Sequence, residues 1–274
     1  MIFVEQVDEV RKFRLARTFF GRGLYYTAAY WVDGLMIDTG CAYTVGELVS
    51  ALDGVAVDFV VNTHSHEDHI GANAALTRRF KTQIGVHPLG LDVLTAPRER
   101  QPLRPYQQFM WGYPDPSRGT AIGERVETER HRFDVIHTPG HSRDHICLYD
   151  SDRGWLFSGD VYIGGRDRAL RADYNIWQII DSLQKLAKLD VTFLFTGSGR
   201  VRENATRDLL EKIDYLADTA DRILELHRRG LSYNAIRRKI FGRELPISYL
   251  TLGHFSGKNL VRSIVEDRPT IEQA

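Results

Sequence analysis

Residues 62–69 read Asn-Thr-His-Ser-His-Glu-Asp-His, which places three imidazoles and adjacent acidic side chains within six positions of one another. Imidazole nitrogen and carboxylate oxygen are the usual protein ligands of zinc and of non-haem iron. An ordinary core does not collect such groups, because burying them without partners costs free energy. The stretch therefore predicts a metal site, with room for two ions, rather than a polar turn that holds histidines by chance.

The flanking sequence predicts how these ligands are aimed. Residues 57–61 are rich in β-branched and aromatic side chains, which favours a short buried strand. Residues 70–80 predict a helix. The first two histidines of the run are two positions apart, so an extended backbone points them to the same side. Asp68 and His69 fall where the helix is predicted to begin, so they approach the same pocket from another direction.

In two later segments, a residue type that can bind a metal follows a predicted strand. Residues 133–141 read Phe-Asp-Val-Ile-His-Thr-Pro-Gly-His and finish on His141, and residues 154–160 finish on Asp160. Taken alone, a histidine after a strand is usually a hydrogen-bonded surface residue, and an aspartate after Ser-Gly is usually a turn former. Their occurrence together, after the histidine-rich run, favours a shared metal pocket.

The chain resembles the metallo-β-lactamase superfamily, the glyoxalase II-like hydrolases, over about its first 200 residues. The matching motifs are Ile-Asp-Thr-Gly at 37–40, His-x-His-x-Asp-His at 64–69, Thr-Pro-Gly-His at 138–141 and Ser-Gly-Asp at 158–160. The resemblance implies an α/β (α+β) fold, a four-layer αββα sandwich of two facing mixed sheets with a metal site at one edge. It further implies a sandwich domain over 1–202 and a C-terminal helical extension over 203–274.

The resemblance also assigns roles to individual residues. One ion falls to His64, His66 and His141, and a second falls to Asp68 and His69, with Asp160 bridging both. Asp68 is in addition the catalytic candidate, placed to orient the nucleophile or take up a proton. Asp38 resembles a carboxylate that fixes a ligating imidazole from behind, although a turn role beside Gly40 is equally consistent with the sequence.

One position departs from the family pattern. A strand over 191–195 is followed by Thr-Gly-Ser-Gly, and Ser198 stands where the family usually has a ligating histidine. A neutral hydroxyl is a poorer zinc ligand than imidazole, so the second site is expected to be weaker or completed by water, by substrate or by another side chain. His254 is one substitute, with a packing or helix-cap role as its alternative.

These residues predict a metal-dependent hydrolase acting on a small-molecule ester, thioester, lactone or related substrate through a metal-activated water. The expected cofactor is one or two zinc ions, with iron as the alternative. One competing class is a mononuclear non-haem iron oxygenase, similar to the family's persulfide dioxygenases, that uses His64, His141 and Asp160. Another is a regulatory member of the fold with little turnover.

Composition agrees with a globular enzyme. Hydrophobic residues make up 43% of the 274, and 36 basic against 36 acidic residues give a net charge of zero, which argues against nucleic acid or an anionic membrane as partner. Cys41 and Cys147 provide no disulfide framework, so a reducing cytoplasm is expected. No signal peptide is visible at residues 1–5, and no apolar run is long enough to span a bilayer.

Two regions carry looser expectations. Residues 96–123 contain five prolines and are predicted to lack regular structure; their aromatic side chains either form a lid facing an organic substrate or fix the loop to the core. Helices are predicted over 206–229, 232–240 and about 258–265. In related enzymes such a tail shapes the substrate pocket or makes dimer contacts, so a homodimer is compatible, and Tyr249, His254 and Lys258 are candidates to face the substrate.

Overall fold

A computed structural model describes residues 1–269 and divides the chain into two compact units. The first unit consists of residues 1–137, 144–163 and 191–203. The second consists of residues 138–143, 164–190 and the described residues from 204 onward. The predicted domain division between 202 and 203 remains a prediction.

The described residues form seventeen strands and ten α-helices. The strands are β1 (Ile2–Val7), β2 (Val10–Leu15), β3 (Thr18–Phe19), β4 (Arg22–Gly23), β5 (Thr27–Val32), β6 (Leu35–Ile37), β7 (Phe59–Val61), β8 (Gln83–Val86), β9 (Thr120–Ala121), β10 (Arg125–Glu127), β11 (Arg132–His137), β12 (Ile146–Asp150), β13 (Trp155–Gly159), β14 (Leu170–Arg171), β15 (Phe193–Thr196), β16 (Val201–Arg202) and β17 (Phe255–Ser256). The helices are α1 (Val45–Ala51), α2 (Asn73–Phe80), α3 (Leu91–Thr95), α4 (Pro97–Arg100), α5 (Pro105–Met110), α6 (Ile176–Leu186), α7 (Ala205–Arg228), α8 (Tyr233–Phe241), α9 (Pro246–Leu250) and α10 (Gly257–Glu266).

The first sheet of the first unit has the order β1-β2-β5-β6-β7-β8-β9. Its β5–β6 hairpin turns at Asp33 and Gly34, which both have positive φ, at 47° and 81°. That conformation suits an Asp-Gly pair in a two-residue hairpin turn. From β6 to β8 the strands run parallel, and their carboxyl ends therefore meet at one edge.

The second sheet of this unit has the order β10-β11-β12-β13-β15-β16. It packs face to face on the first sheet through a buried, mostly apolar layer that includes Tyr30, Val32, Trp155, Phe157 and Phe195. The outer face of the first sheet is covered by α1 and α2. Burying apolar area on both faces of a sheet is the main favourable term in such a layered fold.

The second unit is mostly helical. α7, α8 and α10 begin and end within one or two residues of the predicted helices, so these three helix predictions are confirmed. Ser232 caps α8, since its hydroxyl accepts from the Ala235 N–H. The short strands β14 and β17 pair antiparallel inside this unit.

The helix predicted over 70–80 begins only at Asn73, so this prediction is wrong at its start. The carbonyl of His69, which would accept from the Asn73 N–H in a continuous helix, accepts instead from the Thr39 N–H at 2.8 Å and the Asn62 amide at 3.1 Å. Those two bonds tie the ligand run to neighbouring segments and delay the helix by about one turn.

The prediction of no regular structure over 96–123 is also wrong, since α4, α5 and β9 lie in this stretch. Pro97 and Pro105 are the first residues of α4 and α5. Proline is well tolerated there because the N–H it lacks has no partner inside a helix. These two prolines therefore mark the starts of short helices.

Cys41 and Cys147 are both buried, and neither forms a disulfide bond within residues 1–269. Within residues 1–269, no helix combines the length and the apolar character that crossing a bilayer requires.

Candidate metal centre

The ligand candidates of the first unit lie at the carboxyl ends of three strands. Asp38 directly follows β6, the run from Asn62 follows β7, and Asp160 follows β13. The Asp38 N–H donates to the carbonyl of Val61 at 2.9 Å, so the first two segments leave the sheet side by side. Short apolar strands thus end where polar, ligating side chains begin.

Three buried or partly buried side chains converge there. His64, His69 and Asp160 each offer a ligand atom, and the three atoms lie within 4.8 Å of one another. His64 and His69 are fully buried, with ring centroids 4.1 Å apart. Nε2 of His69 lies 3.6 Å from Oδ2 of Asp160. Two imidazoles and one carboxylate gathered in this way form a donor set suited to zinc or iron.

Asp38 holds this group from behind. Its Oδ1 accepts from the Thr63 N–H, and its Oδ2 accepts from the Thr63 hydroxyl, both at 2.8 Å. The same Oδ2 lies 2.8 Å from Nδ1 of His69. Asp38 has a φ of 59°, a left-handed conformation that aspartate adopts more readily than most residues. One buried carboxylate therefore connects the first ligand segment to the last histidine of the run.

These bonds select the tautomers of the two histidines. A carboxylate oxygen only accepts, so the Thr63 hydroxyl and His69 Nδ1–H both donate to Asp38. The hydroxyl has then used its only proton and accepts from Nδ1–H of His64, 3.0 Å away. Nε2 is therefore the nitrogen that each ring can offer to a cation. A carboxylate behind a ligating imidazole commonly fixes the tautomer in this way.

Electrostatics also favour a cation. Burial disfavours a charged His69, but the carboxylates of Asp38, Asp160 and Asp68 outweigh burial and raise its pKa well above the usual value. Burial raises the pKa of Asp68 to about 7, opposed by the charge of His69 and assisted by those of Glu67 and Asp160. The centre thus has an excess of negative charge that a proton on His69 only partly offsets.

The residues fit a metal ion. Nε2 of His69 is buried and has no hydrogen-bond partner within the part of the chain that the structure describes. An unpaired buried donor or acceptor is costly. A cation that takes the place of the proton on Nε2 satisfies this atom and balances the surrounding carboxylates.

The other predicted ligands lie as follows. Nδ1 of His66 is 2.9 Å from Nε2 of His64, so these two rings meet nitrogen to nitrogen. Oδ2 of Asp68 is 3.9 Å from Nε2 of His69. His141 belongs to the second unit, where its Nε2 lies 3.3 Å from the Tyr174 hydroxyl. The division of these residues between two ions remains a prediction.

The remaining candidates occupy several settings. Ser198 lies in the turn after β15, where its hydroxyl is 3.0 Å from that of Thr196. His254 is buried in the second unit with Nε2 3.7 Å from Oδ1 of Asp173. Tyr249 and Lys258 are exposed. Their proposed roles at the second ion or toward the substrate remain predictions.

Sequence reasoning missed two residues that contribute to the centre. Nε2 of the buried His145 accepts from the Asp160 N–H at 3.1 Å and so fixes the backbone of that ligand. Tyr25 lies close enough for the charges of Asp160 and Asp68, after burial of its hydroxyl, to raise its pKa above the usual value. His145 stands four residues after His141, which was the only available signal; nothing local marked Tyr25.

Asp38→Asn is expected to weaken metal affinity by about 10- to 100-fold, the usual effect of losing a carboxylate behind a metal-binding histidine. Asparagine tolerates the left-handed backbone conformation, but its side chain has only one oxygen. It cannot replace both carboxylate oxygens as acceptors for Thr63 and His69. Asp33→Asn is the matched control, because Asp33 also has positive φ and lies in the β5–β6 turn. Competition with a chromogenic zinc chelator measures the affinity, and equal values for both variants would contradict the role given to Asp38.

Comparison with known proteins adds a second line of evidence. The family model described as Metallo-beta-lactamase superfamily matches residues 22–198. A hydroxyacylglutathione hydrolase from Thermosynechococcus vestitus is 34% identical over 136 residues, which is 50% of this chain and 46% of that protein. The match to the first relatives thus spans about half of their length. A hydroxyacylglutathione hydrolase from Aliivibrio fischeri strain MJ11 is 26% identical over 242 residues, covering 87% of this chain and 85% of its own.

Solved structures give the same picture for the fold. A beta-lactamase domain protein from Burkholderia ambifaria superposes with a TM-score of 0.69 at 21% identity, covering 96% of this chain and 87% of its own. A metallo-beta-lactamase family protein from Thermus thermophilus gives 0.68 at 18% identity, with 95% and 93% covered. At such identities the likeness concerns the fold alone, and it confirms the predicted α/β sandwich class.

Proposed function

The chain belongs to the metallo-beta-lactamase superfamily, and we propose that it is a metal-dependent hydrolase of a small-molecule ester, thioester or lactone. The observation that carries the proposal is the buried group of His64, His69 and Asp160, with its unpaired Nε2 atom on His69. The hydroxyacylglutathione hydrolases among its relatives are named for cleavage of a thioester, which supports the acyl-transfer class.

A zinc ion held by these residues would lower the pKa of a coordinated water toward neutrality and polarise a carbonyl oxygen. The chain's own residues supply the rest. Asp38 and Thr63 hold the two imidazoles by their Nδ1 atoms, so that Nε2 is the ligating nitrogen of each ring. His145 fixes the backbone at Asp160. To Asp68, whose Oδ2 is 3.9 Å from Nε2 of His69, we assign the role of orienting a nucleophilic water or taking up its proton.

We propose the division that the motifs imply: His64, His66 and His141 hold one ion, and Asp68 and His69 hold a second, with Asp160 shared. Support for His66 comes from its nitrogen-to-nitrogen approach to His64. Support for His141 comes from the Thr-Pro-Gly-His motif. Zinc is the proposed metal of the hydrolase; a cytoplasmic location and a homodimer remain predictions from the sequence.

A substrate screen tests the proposed class. Metal-loaded protein is assayed with a generic thioester, a lactone and a phosphodiester, before and after dialysis against a chelator. The proposal expects chelator-sensitive turnover of the thioester or lactone, restored by added zinc. Absence of turnover by protein whose full metal content has been verified would favour the regulatory alternative.

A second function has its own supporting observation. The group of His64, His69 and Asp160 has the two-histidine, one-carboxylate composition used by mononuclear non-haem iron oxygenases. Elemental analysis of protein purified without added metal separates the two proposals. One iron per chain, with oxygen uptake on a persulfide, would favour the oxygenase; zinc with thioester turnover favours the hydrolase.

Ser198→His is expected to raise zinc occupancy at the second ion, because imidazole replaces a hydroxyl that makes a poor ligand. The expected result is a zinc content that rises toward two per chain, measured by elemental analysis after gel filtration. Ser50→His, on the exposed surface of α1, adds the same imidazole as a control. Identical zinc content in both variants would mean that the turn after β15 does not contribute to the metal centre.

A further inference from the structure

A set of large aromatic side chains is exposed on the first unit. Phe19, Phe20, Tyr25 and Phe109 are 42%, 90%, 45% and 44% exposed, and Trp111, which contacts Tyr25, is partly buried. Ring centroids are 4.5 Å apart for Phe19 and Phe20, 5.5 Å for Phe19 and Phe109, and 5.6 Å for Tyr25 and Trp111. We refer to these five residues as the aromatic patch. Large apolar side chains that cluster on an exposed surface often mark a binding site.

The patch is tied to the metal-binding run through α5. Glu67, which lies between two ligand candidates, accepts at Oε1 from the side-chain amide of Gln107 at 2.8 Å. Both residues are almost fully buried. The backbone N–H of Trp111 then donates to the carbonyl of Gln107 at 2.8 Å, at the end of α5. Two hydrogen bonds through Gln107 therefore connect Trp111 to Glu67 of the ligand run.

The patch is tied to Asp160 through the start of β5. The Ala28 N–H donates to the carbonyl of Gly197, whose own N–H donates to the carbonyl of Gly159, each at 2.7 Å. Gly197 packs so closely on Asp160 that a Cβ at this position would overlap the carboxylate. Tyr25 precedes this segment by three residues. The raised pKa of its hydroxyl, caused by burial and by two carboxylates of the centre, agrees with a place beside the metal centre.

One polar atom within the patch lacks a partner. The indole nitrogen of Trp111 is buried, and no acceptor lies within hydrogen-bond distance of it among residues 1–269. A buried indole N–H normally finds an acceptor. Arg17, the cation next to the patch, is stacked over Tyr43 and Phe109 and donates to the Phe109 carbonyl. The patch thus offers apolar faces and one unused donor.

On the basis of the proposed hydrolase function, we propose that the aromatic patch binds an aromatic or extended apolar acyl group of the substrate, with the Trp111 indole N–H donating to an oxygen of that substrate. The favoured substrate class is therefore an arylacyl or long-chain acyl ester or thioester. A small acyl group leaves the aromatic faces exposed to water, so its binding gains no free energy from burying them.

Two substrates with one leaving group test the proposal. The p-nitrophenyl esters of phenylacetic acid and acetic acid differ only in the acyl group. Wild-type protein is expected to prefer the phenylacetyl ester in kcat/KM, and Trp111→Ala is expected to lose about 10- to 100-fold on that ester and less than about threefold on the acetyl ester. Trp111→Phe keeps an aromatic face without the N–H, so it separates the two contributions. Equal losses on both esters would overturn the proposal.

Further variants and a binding measurement keep the test independent of turnover. Phe20→Ala removes a 90% exposed ring of the patch and is expected to weaken only the phenylacetyl ester, whereas Leu250→Ala, an exposed apolar residue of the second unit, is expected to change neither. Titration of metal-loaded protein with phenylacetate and with acetate, followed by calorimetry, measures recognition directly. Phenylacetate binding that Trp111→Ala abolishes supports the patch even if neither ester is hydrolysed, in which case the hydrolase proposal alone fails. Equal, weak binding of both acids overturns the patch.

Discussion

Asp160→Ala is expected to lose bound metal and catalytic activity together. Asp160 supplies the carboxylate of the buried ligand group and approaches His69 Nε2 to 3.6 Å. Metal ions contribute several kcal/mol to transition-state stabilisation, so the expected loss in kcat/KM is on the order of 10³-fold or more. The backbone at this position is held by His145 through a main-chain donor, so alanine leaves that bond intact.

Elemental analysis and thioester turnover, measured on the same preparation, check this expectation. Asp53→Ala is the control, because Asp53 is an exposed carboxylate whose ion pair with Arg79 is long at 3.5 Å. The control is expected to retain metal and activity. An Asp160→Ala protein that keeps its full metal content would remove Asp160 from the centre, and His66→Ala, with the same expected loss, would then be the independent test of the remaining ligands.

Phe157→Ala is expected to lower the free energy of unfolding by about 3–5 kcal/mol, the range for removing a fully buried phenylalanine. Phe157 lies between the two sheets, stacked on Phe195 with ring centroids 4.7 Å apart and packed edge-on against Tyr30 at 5.4 Å. Truncation leaves a cavity that these rigid neighbours fill poorly.

Urea titration followed by circular dichroism measures the change. Leu250→Ala, at a 73% exposed position of α9, is expected to stay within about 0.5 kcal/mol of the parent protein. A loss below about 1 kcal/mol for Phe157→Ala would mean that the layer between the sheets is less closely packed than the structure has it.

Much of the local structure was predictable because it depends on neighbours in the chain. The Asp33-Gly34 turn needs two residues that tolerate positive φ, and the sequence provides them. Strands β7 and β13 follow from short apolar runs. The start of α2 was not predictable, because it depends on hydrogen bonds between distant segments. The His69 carbonyl accepts from the N–H of Thr39, 30 positions away, and from the side-chain amide of Asn62.

The aromatic residues of the 96–123 stretch show the same limit. Their presence suggested either a substrate-facing lid or anchors to the core. Only the folded chain pairs Trp111 with Tyr25, and ties Gln107 to Glu67 across 40 positions. Pattern and propensity contain no information on such pairs, because the loops that bring them together have no periodicity to read.

The amino-acid sequence alone determined the family, the sandwich class and the kinds of ligand, since imidazoles and carboxylates recur in motifs that a short stretch of chain contains whole. The tertiary structure decided which of these groups meet. Asp38 and His69 are 31 positions apart, yet a single carboxylate oxygen joins them at 2.8 Å. The physical reason is that ligand chemistry belongs to individual side chains, whereas tautomer, charge and distance at the centre are set by neighbours that only the packing of parallel strand ends brings within reach.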